Sequence, residues 1–231
     1  MSEIRLVIAV PSAGSVRMDF AASLVGLIAK IASTAIATRP ESPVQVTFDV
    51  AMSSVIHGNR ETLVTRAIEA GKTHLLFLDD DMAFSPDVVD VLFSRRHPVV
   101  CTNYLIKTEA RDSFVAVGLD GQRVVTSAAS TGILPIAYSG FGVSLFELDV
   151  FKRTPQPWFL PDWVAEKRIY TTEDNPFYAR VRAAGFAVQM DHDASKLITH
   201  LGMGEWKWSE YQAPEKTAQV LELSIQGAKR G

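Results

Sequence analysis

The sequence has 231 residues, of which 47% are hydrophobic and 21% are charged, fractions that exclude a disordered or coiled-coil chain. The formal net charge of −3 argues against a general nucleic-acid-binding protein, which would carry a basic surface. The single cysteine, Cys101, excludes an intrachain disulfide and a cysteine zinc site. Because it lies in a predicted strand, we expect it to pack as a small hydrophobic residue.

The first hundred residues alternate between two kinds of apolar pattern. Short β-branched runs predict strands at residues 4–10, 44–50, 73–78 and 98–102. Apolar side chains at helical spacing predict helices at residues 17–38, 59–70 and 88–93. This alternation predicts an α/β domain with a mostly parallel central sheet and helices on both faces.

The later chain has a different character. Turn residues at Asp120-Gly121 and Gly132 divide residues 115–134 into short runs that predict antiparallel hairpins. A helix is predicted at residues 176–185, with Asn175 as its cap, and a strand at 186–190.

The N-terminal region and the tail bear on where the protein is found in the cell and what it contacts. No basic region precedes an apolar run at the N-terminus, and the longest apolar stretch, residues 21–37, is interrupted by Lys30. We therefore expect a cytoplasmic protein without a transmembrane segment. The tail, residues 203–231, begins with aromatic residues that could pack on the domain, cover a sugar, contact a second copy in a homodimer or touch a membrane surface.

Three adjacent aspartates, Asp79, Asp80 and Asp81, directly follow a strongly apolar predicted strand. Ligands of open parallel sheets bind at the carboxyl ends of the strands. Alternation at the strand end predicts that Asp79 and Asp81 point the same way and Asp80 the other. A hard divalent cation that bridges a carboxylate to a diphosphate suits this arrangement. The structural alternative is a solvated acidic loop.

A histidine, His200, lies in the segment Ile198-Thr199-His200-Leu201-Gly202 late in the chain. A lone histidine is usually structural, and we expect this of His74, which lies within a predicted strand. If His200 instead joined the aspartates, the mixed oxygen and imidazole ligands would favour Mn²⁺ over Mg²⁺.

Two carboxylates, Glu173 and Asp174, stand immediately before a predicted helix. Acidic side chains there interact favourably with the helix dipole. The functional alternative is a general base that removes a proton from an attacking hydroxyl, and the pattern does not choose between the two residues.

Glycines and basic residues complete the candidates. Gly140 and Gly142 flank Phe141 and would let the backbone approach a ligand closely, although the same pattern also serves tight turns. Arg60, near a helix start, could meet phosphate or ribose, and Lys107 could offset phosphate charge. Surface solvation fits Arg60 equally well.

Taken together, these segments resemble the nucleotide-sugar glycosyltransferases of the GT-A fold, in the group related to family 2. The resemblance rests on the order and spacing of Val10-Pro11-Ser12, Asn59-Arg60, residues 73–82, Asn103-Tyr104 with Lys107, residues 139–142, 172–174 and 199–202. It implies one GT-A (Rossmann-like) domain at residues 1–202. Residues 1–105 would be the nucleotide-binding half and residues 106–202 the acceptor and catalytic half.

The resemblance also implies roles for single residues. Asp79-Asp80-Asp81 is similar to the DxD motif, in which Asp79 would face the ribose or metal and Asp81 would coordinate the metal. His200 is similar to a third metal ligand of some relatives, and Asp174 is favoured over Glu173 as the base. The early strands would contribute residues near the nucleotide base, namely Pro11, Ser12 and Asp49. The arginine-asparagine pair common in the group appears here as Asn59-Arg60, which leaves the role of Arg60 open.

The implied activity is transfer of a sugar from a nucleoside-diphosphate sugar, UDP- or GDP-linked, to an acceptor hydroxyl. The transfer would need Mn²⁺ or Mg²⁺. It would invert the anomeric centre if a carboxylate reaches the acceptor, and a retaining path without a base is the alternative if none does. Two alternatives remain: a nucleotidyltransferase acting on a sugar phosphate, and a non-catalytic protein that binds nucleotide sugars.

Overall fold

The chain forms an eight-stranded mixed sheet with helices on both faces. The structure is a computed structural model that describes residues 4–38, 45–202 and 205–213. The strands are β1 (Arg5–Ser12), β2 (Gln45–Met52), β3 (His74–Leu78), β4 (Met82–Phe84), β5 (Val99–Cys101), β6 (Val117–Gly118), β7 (Ile133–Tyr138), β8 (Val143–Glu147), β9 (Trp163–Val164), β10 (Ile169–Tyr170), β11 (Gln189–Asp191), β12 (Ile198–Leu201) and β13 (Glu205–Lys207). The helices are α1 (Met18–Thr38), α2 (Ile56–Glu69), α3 (Val88–Ser94), α4 (Leu148–Arg153), α5 (Asp174–Ala183) and α6 (His192–Ser195).

The large sheet has the strand order β2-β1-β3-β8-β5-β11-β7-β6. Strands β2, β1, β3, β5, β11 and β6 run in one direction, and β8 and β7 run in the other. The predicted mostly parallel central sheet is therefore confirmed. Strand β8 lies between β3 and β5 and pairs antiparallel with both.

Each face of the sheet carries its own hydrophobic core. Because side chains alternate along a strand, Val7 and Leu75 face one side while Leu6 and Leu76 face the other. The first side packs against α2, α4 and α5. The second packs against α1 and α3. Helices on both faces are thus confirmed, and they leave the carboxyl ends of the parallel strands open.

Several predicted boundaries differ from the structure. Helix α5 begins at Asp174 rather than at residue 176, so Glu173 and not Asn175 occupies the N-cap position. Strand β11 covers Gln189–Asp191, later than the predicted run at 186–190. Val44, the predicted first residue of the second strand, lies outside the described residues.

The predicted hairpins at residues 115–134 are confirmed at the Asp120-Gly121 turn, where Val117 pairs antiparallel with Arg123 and the Val124 N–H donates to the Ala116 carbonyl, whereas residues 124–132 are loop. The Asn103 side chain supports this turn, because its amide donates to the Val124 carbonyl and its oxygen accepts from the Ala116 N–H. These two backbone groups are therefore satisfied by a side chain.

Antiparallel pairing occurs elsewhere, in two small sheets. Strands β9 and β10 form a hairpin, and β4, β12 and β13 form a three-stranded sheet of order β13-β12-β4. Strand β4 follows the three aspartates after a single turn, in which the Met82 N–H donates to the Asp79 carbonyl. The turn and β4 position the acidic segment.

The described part of the tail packs on the domain. The indole N–H of Trp206 donates to the Thr108 carbonyl, that of Trp208 donates to the Lys196 carbonyl, and the Tyr211 ring lies 5.0 Å from the ring of Phe114. Residues 203–204 and 214–231 lie outside the described residues, so the predicted lid and dimer roles stay predictions. Within the described ranges, none of the helices has the length and apolar character needed to cross a bilayer.

Candidate active site

A cavity of about 360 Å³ lies where the central strands end. Its walls are Arg60, Asp79, Tyr104, Ile106, Val115, Arg123, Tyr138, Gly140, Phe141, Thr172, Glu173, Asp174 and His200. Residues from six separate segments of the sequence analysis therefore meet in one space. The cavity is polar at the end of β3 and at the start of α5, and it is aromatic along its floor.

Arg60 is the buried centre of the polar wall, with its side chain only 5% exposed. Its Nη1 donates to Oδ1 of Asp79 at 2.8 Å, and its Nε donates to Oε1 of Glu173 at 3.2 Å. The guanidinium carbon lies 4.5 Å from the ring centre of Phe141. Surface solvation, which the sequence left open for Arg60, is thus excluded, because α2 points this side chain under the cavity.

The charge of Arg60 is held by its partners. Burial by itself would lower the pKa of this guanidinium, but Asp79 and Glu173 outweigh burial and raise the pKa above its usual value. Arg60 therefore joins the end of β3 to the start of α5 as a fixed cation.

The pairing of β4 with β12 brings His200 to the acidic segment. Met82 is the register partner of His200, and the Leu201 N–H donates to the Asp81 carbonyl at 2.7 Å. As a result, Nε2 of His200 lies 3.4 Å from Oδ2 of Asp81. On the other side of the ring, Nδ1 donates to the Leu105 carbonyl at 2.8 Å, because a carbonyl can only accept.

Asp81 is also contacted by Lys107, whose Nζ donates to its Oδ2. Burial would raise the pKa of Asp81, but the hydrogen bonds from His200 and Lys107 outweigh it and lower the pKa to about 2. This carboxylate is therefore ionised near neutral pH. It lies beside the cavity wall, one side chain beyond His200.

The Asp81 and His200 pair has donor chemistry that fits a divalent cation. The bond from Nδ1 to the Leu105 carbonyl fixes the ring with Nε2 toward Asp81, the orientation found in histidine ligands of metals, and a cation bound between the two side chains would take the place of the proton that Nε2 shares with Asp81. Asp79 differs, because its Oδ1 is occupied by Arg60. Throughout the described ranges, no group of three or more His, Cys, Asp or Glu side chains is arranged to hold a metal. A cation here would complete its ligand set with diphosphate oxygens and water.

Glu173 and Asp174 both line the cavity, but their partners differ. Glu173 is bound by the Arg60 guanidinium. The hydrogen bonds described for Asp174 come from neutral donors, the Asn175 N–H at 2.8 Å and the Thr172 hydroxyl, and both reach Oδ1. The geometry therefore separates two carboxylates that the sequence treated alike, and Asp174 is the one suited to accept a proton.

Gly140 and Gly142 do permit a close approach, but the approaching group is the Tyr104 side chain. A Cβ on Gly142 would lie 2.7 Å from Cε1 of Tyr104, and a Cβ on Gly140 would collide with the Tyr104 hydroxyl. The hydroxyl accepts a hydrogen bond from the Gly142 N–H at 3.2 Å. Phe141, between the glycines, is buried in an aromatic cluster and reaches the cavity from below.

The remaining predicted residues lie outside the cavity wall. Pro11 and Ser12 are buried at the end of β1, where the Ser12 hydroxyl accepts from the Gly14 N–H. Asp49 lies inside β2, which continues to Met52, and its carboxylate pairs with Arg66 at 3.2 Å. Asp80 lies in the turn between β3 and β4.

Some wall residues were not predicted, notably Ile106, Val115 and Arg123. Arg123 is fixed by a hydrogen bond from its Nη1 to the Val115 carbonyl at 2.7 Å. It is the antiparallel partner of Val117 across the Asp120-Gly121 turn, in a run too short for its periodicity to indicate which side chains face inward. Tyr138 could have been found, because it directly precedes the glycine pattern.

Comparison with known proteins supports the fold and no more. No protein-family model matches the chain, and no curated protein matches it. Among solved structures the chain is similar to the crystal structure of A197 from STIV, with a TM-score of 0.57, 19% sequence identity and 86% of each chain covered. At this identity the likeness extends to the α/β architecture alone.

Proposed function

We propose that this protein is a metal-dependent glycosyltransferase that moves a sugar from a nucleoside-diphosphate sugar to an acceptor hydroxyl with inversion. The observation that carries the proposal is that two kinds of group meet at one cavity. His200, which pairs with Asp81, and Asp174, which has no guanidinium contact among the described residues, both line its wall. The carboxyl ends of the strands are where such sheets bind nucleotides.

The donor would bind at the Asp81 side. Asp81 and Nε2 of His200 would hold Mn²⁺ or Mg²⁺, which supplies Lewis-acid stabilisation of the departing diphosphate. Lys107 has a flexible, partly exposed side chain and could donate to a phosphate oxygen from the position where it now contacts Asp81.

The acceptor would be activated at the α5 side. Asp174 would take the proton from the acceptor hydroxyl while its Oδ1 remains oriented by the Asn175 N–H and the Thr172 hydroxyl. Arg60 would not contact the reacting atoms. It would instead fix the distance between the end of β3 and the start of α5.

The base assignment is tested by Asp174→Asn. Removing a general base should lower the transfer rate by about 10²–10⁴-fold and leave binding of the nucleotide sugar unchanged. Asp149→Asn is the matched control, because Asp149 occupies the first turn of α4. Transfer at the wild-type rate by Asp174→Asn would remove Asp174 from the role.

The metal assignment is tested by calorimetry. Asp81→Ala should abolish the Mn²⁺-dependent part of nucleotide binding, and unchanged heats would contradict the assignment. A thermal-shift panel of UDP- and GDP-sugars, with and without Mn²⁺, should identify the donor, because a ligand of the native state raises the melting temperature. Release of pyrophosphate instead of a nucleoside diphosphate would favour the nucleotidyltransferase alternative.

A further inference from the structure

The β9–β10 hairpin presents two aromatic side chains to solvent. Trp163 is 54% exposed and Tyr170 is 68% exposed. They are direct register partners in the antiparallel pair, so both rings lie on the same face of the hairpin. Their ring centres are 5.1 Å apart with an interplanar angle of 60°. Large exposed aromatic surfaces of this kind often mark a binding site.

The hairpin is fixed to the helix that carries Asp174. Arg180, on α5, donates to the carboxylate of Asp162 at 2.8 Å and to the Leu160 carbonyl at 3.0 Å. At the base of the hairpin, the Thr171 N–H donates to the Asp162 carbonyl at 2.9 Å. The aromatic pair and the first turn of α5 therefore belong to one connected unit.

The aromatic pair is close to the cavity along the chain. Thr172, a cavity wall residue, follows Tyr170 by two positions, which limits the distance between their Cα atoms to about 7 Å. Asp174 follows Tyr170 by four positions, which limits the distance between their Cα atoms to about 14 Å. A chain of linked sugars that contacts the rings can thus extend to the carboxylate.

We propose that the aromatic pair Trp163–Tyr170 binds an acceptor carbohydrate, with one sugar ring of a glycan stacked on the hairpin while another lies at Asp174. The assignment of this glycan as the acceptor rests on the proposed transferase function. Tryptophan and tyrosine give a rigid contact surface with little loss of side-chain entropy, and their faces suit the C–H face of a sugar. The hairpin tip carries three exposed charged residues, Glu166, Lys167 and Arg168, which offer hydrogen-bonding groups to the hydroxyls of a longer glycan.

The size of the patch favours a glycan over a protein partner. Two aromatic side chains bury about 150–250 Å² each when fully covered. A standard protein interface needs about 800 Å² from each partner. A single pair of rings therefore matches a sugar better than a folded protein.

The experiment measures binding of the full chain to an array of oligosaccharides of varied composition, without donor. Wild type should bind at least one oligosaccharide, and Trp163→Ala should weaken that binding about tenfold through loss of the ring contact. Trp163→Phe should retain most of the affinity because it keeps an aromatic face. Phe48→Ala, which removes an exposed aromatic side chain from the edge strand β2, should change nothing.

Three outcomes would overturn the proposal. The first is that wild type binds no oligosaccharide on the array. The second is that wild type and Trp163→Ala bind the same oligosaccharide with equal affinity. The third is that the protein binds phosphatidylcholine–phosphatidylglycerol vesicles in a way that depends on Trp163 and binds no glycan. Donor hydrolysis by the same variants, with Mn²⁺ and UDP-sugars, separates the two proposals. Intact donor hydrolysis without glycan binding would contradict the acceptor site alone, whereas glycan binding without donor binding would contradict the transferase function alone.

Discussion

Tyr104 shows how one side chain imposes residue identity on its neighbours. Its ring packs edge-on against His200 at 4.9 Å, and its hydroxyl accepts from the Gly142 N–H. The loop at Gly140 and Gly142 passes so close to this ring that neither glycine has room for a Cβ. The two glycines therefore hold the tyrosine, and the tyrosine in turn supports the histidine beside Asp81.

Replacing Gly142 by alanine should be destabilising. The new Cβ would lie 2.7 Å from Cε1 of Tyr104 and 3.0 Å from Sδ of Met82, so we expect a loss of about 1–3 kcal/mol in the free energy of unfolding. Gly58→Ala is the control, because its Cβ would meet only ordinary contacts inside α2 and should stabilise by about 0.5–1 kcal/mol. Urea denaturation of both variants measures the difference, and equal stability would contradict the packing described here.

Some candidate residues could be predicted from sequence because they adjoin a clear element. Asp79 and Asp174 adjoin a strand and a helix that their patterns indicate, and both line the cavity. The burial of Arg60 could not be predicted, because it depends on Phe77, Phe141 and Glu173, which are far apart in the chain. Tertiary contacts of this kind leave no local signal.

At the scale of elements, the main junction of the site is the meeting of α2, β3 and α5. Arg60 on α2 bonds to Asp79 at the end of β3 and to Glu173 at the N-cap of α5. The guanidinium separates two carboxylates that would otherwise repel each other in a half-buried space. The junction therefore depends on a single cation.

Arg60→Met should consequently be more damaging than loss of an ordinary ion pair. It leaves Asp79 and Glu173 without their cation, and breaking a buried pair in this way costs about 3–5 kcal/mol. Arg66→Met, at a position on the same helix that is 52% exposed, should cost about 0–1 kcal/mol. Urea denaturation midpoints at pH 7 compare the two variants. A similar loss of stability in both would contradict the role of Arg60 as the cation that holds this junction together.

Long elements could be predicted, whereas four of the shortest strands could not. The apolar periodicity of α1 and the β-branched run of β1 indicate their structure without help from the rest of the chain. Strands β4, β9, β10 and β13 have two or three residues each, too few for a pattern to be recognised. They exist because partners such as β12 provide hydrogen bonds, which are known only once the fold has formed.

At the scale of the whole molecule, the sheet buries its centre from both sides. Cys101, the only cysteine in the chain, is fully buried at the end of β5. Burial raises the pKa of its thiol to about 12, and the S–H donates to the Gln189 carbonyl at 3.3 Å. The thiol is thus both inaccessible and un-ionised in the native state.

Labelling of Cys101 should therefore report global unfolding. With a thiol reagent at pH 8, native protein should react slower by orders of magnitude than protein unfolded in urea, because reaction requires the thiolate and an open core. The free energy of unfolding obtained from the labelling rates should equal the free energy of unfolding obtained from urea denaturation. Rapid labelling of the native protein would contradict the burial of β5.

The fold class could be predicted because the alternation of strands and helices is a property of the whole sequence. The strand order could not, since nothing local to residues 143–147 indicates that they enter the middle of the sheet. Their apolar character is equally compatible with an edge strand packed on one side.

The central position of β8 has a consequence for synthesis on the ribosome. Strands β3 and β5 emerge first, yet they are not neighbours, and β8 fills the gap between them only after residue 147 has been translated. A nascent chain that ends before this point exposes two open strand edges, which readily pair with other chains. The proposed nucleotide-binding half at residues 1–105 therefore needs a strand from the other half to complete its sheet.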